Sequence, residues 1–187
     1  MKELLGVILC GGRSTRMGSD KGLLMIQNRP WAKVIAAKLQ SINLPVVVSV
    51  NHGQFDKYQE ALPEFTLIQD KLPVQGPLNG LLSVHDAYPQ KDLLLMACDL
   101  IDMEQQTLSF LIQTYNEQTN FDFYVYELAD FPQPFCAIYT AQALAETYKA
   151  LQENKIIKYS LRNRFEAGNT KYIPTANSSA FSNHNSL

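Results

Sequence analysis

The apolar residues of this chain follow two patterns, continuous runs and stretches with helical spacing. The runs lack the period-two alternation of a half-exposed strand, which is typical of strands covered on both faces in a parallel sheet. They cover residues 4–9, 45–50, 66–69 and 93–98. Amphipathic stretches predict helices at residues 31–42, 54–61, 77–88, 104–118, 141–152 and 158–164. A further strand is predicted at 121–127, followed by the segment 133–139.

This alternation of strand and helix predicts a βαβ series. It therefore predicts an α/β fold of three layers, a Rossmann-like, mainly parallel and twisted sheet covered by helices. The chain has 187 residues, 46% of them apolar and 18% charged, which suits one globular domain with a full core. Because no repeat or linker interrupts it, we expect a single domain over residues 1–187, loosely built only in the polar tail from about residue 174.

Polar residues follow the apolar runs at four places. Each of these residues stands at or just past the end of a run: Gly11, Asn51, Asp70 and Asp99. In a parallel sheet such ends meet at one edge, where open α/β sheets bind ligands at the point of strand reversal. Ordinary structural roles are the alternative, with Asn51 and Asp70 as turn residues or helix N-caps and Asp99 as the cap of the next helix. The four coincidences together predict a ligand site at this edge.

The segment after the first run combines glycines with cationic side chains. Residues 9–21 have the sequence L-C-G-G-R-S-T-R-M-G-S-D-K. Glycine permits positive φ and lets backbone N–H groups approach phosphate oxygens, while arginine and lysine donate charge-assisted hydrogen bonds to the same oxygens. The glycine spacing excludes the dinucleotide fingerprint, and no Lys-Ser or Lys-Thr pair follows the last glycine as in a Walker loop. This chemistry predicts a loop that wraps a nucleoside triphosphate, against the alternative of a glycine-rich surface loop.

Charge and cysteine content limit the expected partners. The net charge of −2 gives no electrostatic reason to expect nucleic acid, which binds to basic surfaces. The three cysteines, Cys10, Cys98 and Cys136, are far apart and lack metal-ligand spacing, so free thiols in a reducing cytoplasm are expected. No apolar run approaches the roughly 18 residues of a membrane span. These features predict a soluble, cytoplasmic protein that binds neither nucleic acid nor membrane.

The segment 9–21 resembles the signature L-A-G-G-x-S-x-R-M-G-x-D-K of the nucleotidyltransferases that activate molybdopterin and sugar phosphates. Three later stretches agree with this family in order: V-V-V-S-V-N ending at Asn51, L-I-Q-D ending at Asp70 and followed at residues 75–78 by Q-G-P-L, and L-M-A-C-D ending at Asp99. Nearly the whole chain is similar to the molybdenum cofactor guanylyltransferases, the MobA type. The resemblance implies a fold of the nucleotide-diphospho-sugar transferase type.

The resemblance also implies a reaction: transfer of GMP from GTP to the terminal phosphate of molybdopterin, with release of pyrophosphate, in molybdenum cofactor biosynthesis. Asp99 would ligate Mg²⁺ as the cofactor, while Lys21 and Arg16 would stabilise charge on the leaving pyrophosphate. Asp70 could accept hydrogen bonds from the N1–H and the amine of guanine. The residues assigned to GTP binding in this way are Leu9, Cys10, Gly11, Gly12, Arg13, Ser14, Lys21, Asn51, Asp70, Gly76 and Asp99.

Molybdopterin, the acceptor substrate, is expected over the later half of the chain. Three segments resemble acceptor-side stretches of the family: residues 132–137, residues 160–162 and the closing F-S-N-H-N-S-L. They implicate Pro134, Arg162, Asn183 and Asn185. The alternatives are that Pro-Gln-Pro only starts an edge strand, that the arginine lies on a solvated helix face and that the tail is disordered. Other molybdenum cofactor biosynthesis proteins or acceptor apoenzymes are candidate protein partners.

Two alternative functions stay open. A cytidylyltransferase that acts on molybdopterin, a sugar phosphate or a methylerythritol phosphate would share the loop, the fold and Asp99. The pair Gly11-Gly12, where cytidylyl relatives tend to have A-A-G, and the run G-P-L-N-G at residues 76–80 favour the guanylyl branch. A non-catalytic nucleotide-binding adaptor would keep the loop but would have little need for Arg16, Lys21 and Asp99 together.

Overall fold

The structure is a computed structural model that describes residues 3–11 and 20–182. Within these residues it contains nine strands: β1 (Leu4–Leu9), β2 (Met25–Ile26), β3 (Arg29–Pro30), β4 (Val46–Val50), β5 (Thr66–Gln69), β6 (Asp92–Ala97), β7 (Phe123–Leu128), β8 (Phe131–Tyr139) and β9 (Thr170–Pro174). The same residues form six α-helices: α1 (Trp31–Gln40), α2 (Phe55–Ala61), α3 (Pro77–Ala87), α4 (Gln105–Glu117), α5 (Ala141–Gln152) and α6 (Arg162–Ala167).

Seven strands form one mainly parallel sheet in the order β5-β4-β1-β6-β8-β7-β9. The pairs β5·β4, β4·β1, β1·β6 and β7·β9 are parallel, whereas β8 runs antiparallel to both of its neighbours. Strands β2 and β3 form a separate two-residue hairpin. The predicted fold class, a three-layer α/β fold with a mainly parallel sheet, is confirmed.

Apolar side chains cover both faces of the sheet, as the continuous runs predict. Along β1, Ile8 belongs to a core that includes α1, α4 and Tyr58, while Val7 and Leu9 belong to a second core with α3 and α5. Side chains of a strand alternate between faces, so a strand covered on both sides needs apolar residues at every position. This double burial is the physical reason for the uninterrupted runs at the centre of the sheet.

The predicted helices and strands are confirmed with small shifts in their ends. The exceptions are the start of helix α6, and strand β9 and the β2–β3 hairpin. The last helix was predicted at 158–164 but spans Arg162–Ala167. Leu161 is the N-cap, and one residue before it Ser160 Oγ accepts a hydrogen bond from the Asn163 backbone N–H at 3.3 Å, so a hydroxyl satisfies a first-turn donor. Strand β9 and the β2–β3 hairpin were not predicted. The hairpin turn uses positive φ at Gln27 and Asn28, a weaker signal than Asn-Gly.

The segment after Pro174 makes specific contacts as far as Phe181, although its polar composition predicts a loosely built tail from about residue 174. Asn177 accepts hydrogen bonds from Ser179 Oγ at 2.8 Å and from the Ala180 N–H at 3.3 Å. A 3-10 turn then brings Phe181 into the core, where its ring centroid lies 5.3 Å from that of Tyr126. The burial of the Phe181 ring therefore attaches this segment to the core, although the neighbouring residues are polar.

No helix within residues 3–11 and 20–182 combines the length and the apolar content that crossing a bilayer would need.

The burial of Phe181 gives a stability prediction. Its side chain is 7% exposed, so Phe181→Ala is expected to lower the free energy of unfolding by about 3 kcal/mol through lost burial and a residual cavity. Urea denaturation of parent and variant measures the difference. The control is Ile157→Ala, at a residue that is 91% exposed, where a change within about 0.5 kcal/mol is expected. Equal effects of the two substitutions would contradict the anchoring of the tail.

Candidate active site

The candidate site lies at the carboxyl edge of the parallel strands, on either side of β1. From β1 the chain first builds the sheet outward through β4 and β5, and it later adds β6 on the other side of β1. This reversal opens a crevice between the ends of β1 and β6. Gly11 follows β1 by two residues, and Asp99 follows β6 by two residues. The topology thus brings the start of the glycine-rich segment next to a carboxylate.

Lys21 and Asp99 form an ion pair in this crevice. Lys21 Nζ lies 3.0 Å from Asp99 Oδ2, and the two side chains are 24% and 15% exposed. Lys21 begins a 3-10 turn that ends at Leu23. Helix α4 begins at Gln105, six residues after Asp99, so Asp99 is not the cap of that helix. A partly buried lysine and carboxylate, paired at the switch point of the sheet, form a polar centre with both signs of charge.

Asp70 is the second carboxylate at this edge. Its backbone N–H donates to Val50 O at 2.9 Å, and its Oδ1 accepts a hydrogen bond from Ser49 Oγ at 3.3 Å. Burial raises the pKa of Asp70 to about 6, and the Ser49 hydroxyl opposes part of this shift. A Cβ added at Gly11 would lie 3.3 Å from Asp70 Oδ2. The carboxylate therefore borders the start of the glycine-rich segment, and α3 begins too late, at Pro77, for Asp70 to be its N-cap.

Helix α3 packs against the strand ends through Gly80. A Cβ on Gly80 would lie 2.4 Å from Ser49 Oγ and 2.6 Å from Leu9 Cδ1, so only glycine allows this approach of helix and sheet. One residue earlier, Asn79 Nδ2 donates to Leu72 O at 2.8 Å and to Val74 O at 2.9 Å. Gly76, with φ of +81°, occupies the N-cap position just before the helix, in a conformation that favours glycine. The run at residues 76–80 thus shapes the wall beside Asp70.

Asn51 precedes a 3-10 turn, His52–Gln54, and occupies its N-cap position. The structural alternative raised for this residue therefore holds, and it does not exclude a ligand contact at the strand end. Gln54 Oε1 accepts a hydrogen bond from the Asn51 N–H at 3.0 Å. Gln54 Nε2 donates a hydrogen bond to Cys10 O at 3.1 Å and another to Asp20. Gln54 was missed in the sequence, although Asn51-x-x-Gln54 has the spacing of a capping box.

Asp20, directly before Lys21, was also missed as part of the site. Its Oδ1 accepts hydrogen bonds from Tyr58 Oη at 2.6 Å and from the Gly22 N–H at 3.3 Å. Tyr58 is fully buried, and burial raises the pKa of its hydroxyl far above the ordinary range. A Cβ on Gly22 would lie 2.2 Å from Tyr58 Oη. The 3-10 turn that carries Lys21 is therefore packed directly on this buried hydroxyl.

The backbones of Leu9 and Cys10 support the site through bonds between strands. Leu9 O accepts from the Cys98 N–H at 3.2 Å, and the Cys10 N–H donates to Ser49 O at 2.9 Å. Both side chains are buried, and burial, followed by the neighbouring Cys98 thiol, raises the pKa of Cys10 well above its usual value. A buried thiol of this kind is inert. Contact of these residues with a nucleotide stays a prediction.

Six residues assigned from the sequence lie outside the described residues, and their roles stay predictions. Four belong to the glycine-rich segment and two to the end of the chain: Gly12, Arg13, Ser14 and Arg16, and Asn183 and Asn185.

The two described residues assigned to the acceptor side lie on β8 and α6. The register pairs Met96 of β6 with Cys136 of β8, so Pro134 lies further toward the edge that carries Asp99. The guanidinium of Arg162 lies 5.9 Å from the ring centroid of Phe131, at the β7–β8 hairpin, and its Nε is 3.3 Å from Glu166 Oε1. Pro134 thus approaches the crevice along β8, and Arg162 is a half-exposed residue on a helix face.

The donor set at the edge fits a hard divalent cation that shares its coordination with a substrate. Within the described part of the chain, no cluster of three or more His, Cys, Asp or Glu could hold a metal by itself. Mg²⁺ commonly uses one or two carboxylates and completes its shell with waters and substrate phosphates. Asp99, with its charge balanced by Lys21, offers such a carboxylate.

The chain matches the MobA-like NTP transferase domain over residues 6–167. It is also 32% identical over 159 residues to a protein named probable molybdenum cofactor guanylyltransferase from Methanothermobacter thermautotrophicus, with 83% of this chain and 81% of the relative covered. The chain belongs to the MobA-like NTP transferase family. It is therefore a nucleotidyltransferase, and the family resemblance found in the sequence is confirmed.

Solved structures agree on the architecture of this MobA-like domain. Molybdopterin-guanine dinucleotide biosynthesis protein A from Archaeoglobus fulgidus superposes with a TM-score of 0.77 at 19% identity, covering 100% of this chain and 93% of its own. A CMP:2-keto-3-deoxy-manno-octonic acid synthetase complexed with CTP gives a TM-score of 0.74 at 11% identity, covering 94% and 90%. These likenesses concern the fold alone. Because a protein named for guanine dinucleotide biosynthesis and a CMP synthetase complexed with CTP share it, the fold does not select the base.

The raised pKa of Asp70 gives a pH prediction. The folded protein binds the proton of the Asp70 carboxyl more tightly than the unfolded chain does. The protonated carboxyl therefore adds to the free energy of unfolding below about pH 4, and this contribution is lost as the pH rises through about 6. Relative to Asp70→Asn, the parent's free energy of unfolding is expected to fall by about 1–2 kcal/mol between pH 4 and pH 7, since partial solvent contact weakens the effect. Urea denaturation across this range measures it. A difference that stays constant with pH would show that Asp70 is not desolvated, and the exposed Asp56→Asn serves as control.

Proposed function

We propose that this MobA-like protein transfers GMP from GTP to the terminal phosphate of molybdopterin and releases pyrophosphate, in molybdenum cofactor biosynthesis. The observation that carries the proposal is the pairing of Lys21 with Asp99 at 3.0 Å in the crevice between β1 and β6. A cation for phosphate oxygens and a carboxylate for a divalent cation are the two charges that nucleotidyl transfer needs at one place. The name of the Methanothermobacter relative supports the guanylyl assignment.

The residues on the two sides of the crevice have different proposed roles. The triphosphate lies along the segment that starts at Gly11, with Lys21 donating hydrogen bonds to the outer phosphates and Arg16 assisting it. Asp99 holds Mg²⁺, which when bound neutralises triphosphate charge and orients the phosphates. Lys21 then exchanges its bond to the carboxylate for bonds to phosphate. Asn51 and Gly76 complete the walls that enclose the nucleoside.

The chemical step consists of positioning and charge stabilisation. An oxygen of the acceptor's terminal phosphate attacks the α-phosphorus, a new P–O bond forms, and the bond to the bridging oxygen of the pyrophosphate breaks in line with it. A phosphate monoester is already anionic near neutral pH, so the attack needs no general base. Lys21 stabilises the negative charge that develops on the departing pyrophosphate. Holding both substrates in line supplies a large part of the acceleration.

The choice of guanine is proposed from Asp70. A carboxylate accepts two hydrogen bonds, and guanine offers two donors, N1–H and the exocyclic amine, on one edge. The pKa of about 6 at Asp70 leaves the carboxylate mostly ionised at neutral pH, in the accepting form. Cytosine offers such an acceptor fewer donors. Asp70, held by Ser49 beside Gly11, is therefore the proposed base-reading group.

The acceptor is proposed to bind over β6 and β8, where Pro134 approaches the edge, with Arg162, Asn183 and Asn185 as further contacts. Because the acceptor carries a phosphate, cationic and amide side chains suit it. We also propose that the reaction takes place in the cytoplasm. Other molybdenum cofactor biosynthesis proteins or acceptor apoenzymes are the proposed protein partners.

Loss of the Asp99 carboxylate tests the metal role. Asp99→Asn is nearly isosteric and is expected to keep the fold while lowering the rate of guanylyl transfer by about a hundredfold or more, as expected for loss of a main electrostatic stabiliser. Pyrophosphate release with GTP, Mg²⁺ and molybdopterin measures the rate, and the melting temperature checks folding. The exposed Asp56→Asn should leave the rate unchanged. Activity within a fewfold of the parent would remove Asp99 from the reaction.

Nucleotide preference separates the guanylyl function from its alternatives. GTP with Mg²⁺ is expected to raise the melting temperature more than CTP, ATP or UTP at the same concentration, because a ligand that binds the native state stabilises it in proportion to its affinity. Thermal denaturation with each nucleotide, with and without Mg²⁺, gives the order. A larger shift with CTP would favour a cytidylyltransferase, and nucleotide binding without turnover of any acceptor would favour a non-catalytic adaptor.

A further inference from the structure

The side chain of Gln54 joins three separate parts of the site. Its Nε2 donates to Cys10 O, at the end of β1, at 3.1 Å. The same nitrogen donates to Asp20 Oδ2, beyond the segment 12–19. Its Oε1 accepts from the Asn51 N–H, at the end of β4, at 3.0 Å. One amide therefore bonds to both described ends of the glycine-rich segment and to the neighbouring strand end.

The chemistry of these three contacts requires an amide. A primary amide has two N–H donors and a carbonyl acceptor on one planar group, whereas a carboxylate is only an acceptor at neutral pH. The contacts to Cys10 O and to Asp20 need donors, and the contact to Asn51 needs an acceptor. A glutamate of the same length would lose both donor contacts and would place a second negative charge beside Asp20.

A second contact fixes Asp20 from the opposite side. Tyr58 Oη donates to Asp20 Oδ1 at 2.6 Å from a fully buried position on α2. Both oxygens of Asp20 are thus held by side chains that follow β4, and Oδ1 also accepts from the Gly22 N–H. Lys21 lies between Asp20 and Gly22, so its backbone is fixed on both sides. Its ammonium reaches Asp99 from this fixed position.

We propose that Gln54, with Tyr58 in support, is a positioning residue for nucleoside triphosphate binding. It fixes Cys10 and Asp20, the described ends of the glycine-rich segment, relative to each other and to β4. Lys21 is thereby held in place before ligand arrives, so less conformational freedom is lost on binding. This inference rests on the proposed function, since it assigns Lys21 to the outer phosphates.

The test compares ligands that differ only in phosphates. Gln54→Ala is expected to weaken binding of GTP with Mg²⁺ about tenfold or more, the range for losing hydrogen bonds to a charged group, and to weaken binding of GMP much less. Gln54→Glu should weaken GTP binding at least as strongly as Gln54→Ala does. Tyr58→Phe, which keeps the buried ring, should also weaken GTP binding. Titration calorimetry measures each affinity. The matched control is Gln59→Ala, on the exposed side of α2, which should bind both nucleotides as the parent does.

Hydrogen exchange without nucleotide provides a readout that is independent of the reaction. Gln54→Ala is expected to speed exchange at the amides of Gly22 and Leu24, which donate to Asp20 Oδ1 and to Lys21 O. Parental GTP affinity, or equal losses for GTP and GMP with a lower melting temperature, would overturn the positioning role. A parent protein that binds no nucleoside triphosphate would overturn the proposed function together with this role. The exchange rates would then show whether Gln54 anchors the turn at all.

Discussion

Strand β1 is bonded on both edges and covered on both faces, and the site depends on this constraint. Its backbone pairs with β4 on one side and β6 on the other, both parallel to it. Parallel pairing puts the carboxyl ends of all three strands at one edge, so the residues that follow them meet whatever their distance in sequence. Because the core fixes the strand ends, the polar groups beyond them occupy defined positions. A ligand site at this edge therefore needs only short connections to place its side chains.

The two carboxylates at the edge have different environments, and this difference suits different tasks. Asp99 is paired with the ammonium of Lys21 at 3.0 Å, so its charge is balanced within the protein. Asp70 is half-buried against Ser49, and its pKa is raised to about 6. A carboxylate beside a cation suits exchange with metal and phosphate charges, whereas a desolvated carboxylate strengthens hydrogen bonds to neutral donors. The positions of Asp70 and Asp99 in the sheet thus give the two carboxylates different surroundings and suit them to different roles.

Helix α2, with the turn before it, and helix α3 support the site from either side through hydrogen bonds and close packing. Tyr58 and Gln54 hold Asp20 next to Lys21. On the other side Asn79 holds the segment that leads from Asp70 to α3, and Gly80 permits the close approach of the helix to Ser49. Side chains locked by such contacts lose little freedom when a ligand binds, which is the physical advantage of a preorganised site.

The sequence by itself determined the six helices, the strands other than β2, β3 and β9, the mainly parallel sheet and the identity of the residues at the strand ends. It did so because double burial leaves continuous apolar runs and strand exits leave polar residues. Family membership followed from the signature at residues 9–21, since glycines and cations at that spacing have a specific chemistry. Only the tertiary structure decided what supports these residues. Gln54, Tyr58 and Gly80 act through contacts between distant segments, which no local pattern encodes. The contacts of the tail up to Phe181 and the start of α6 at Arg162 likewise depend on packing and on the bond from the Asn163 N–H to Ser160 Oγ, which override the local propensity of a polar segment.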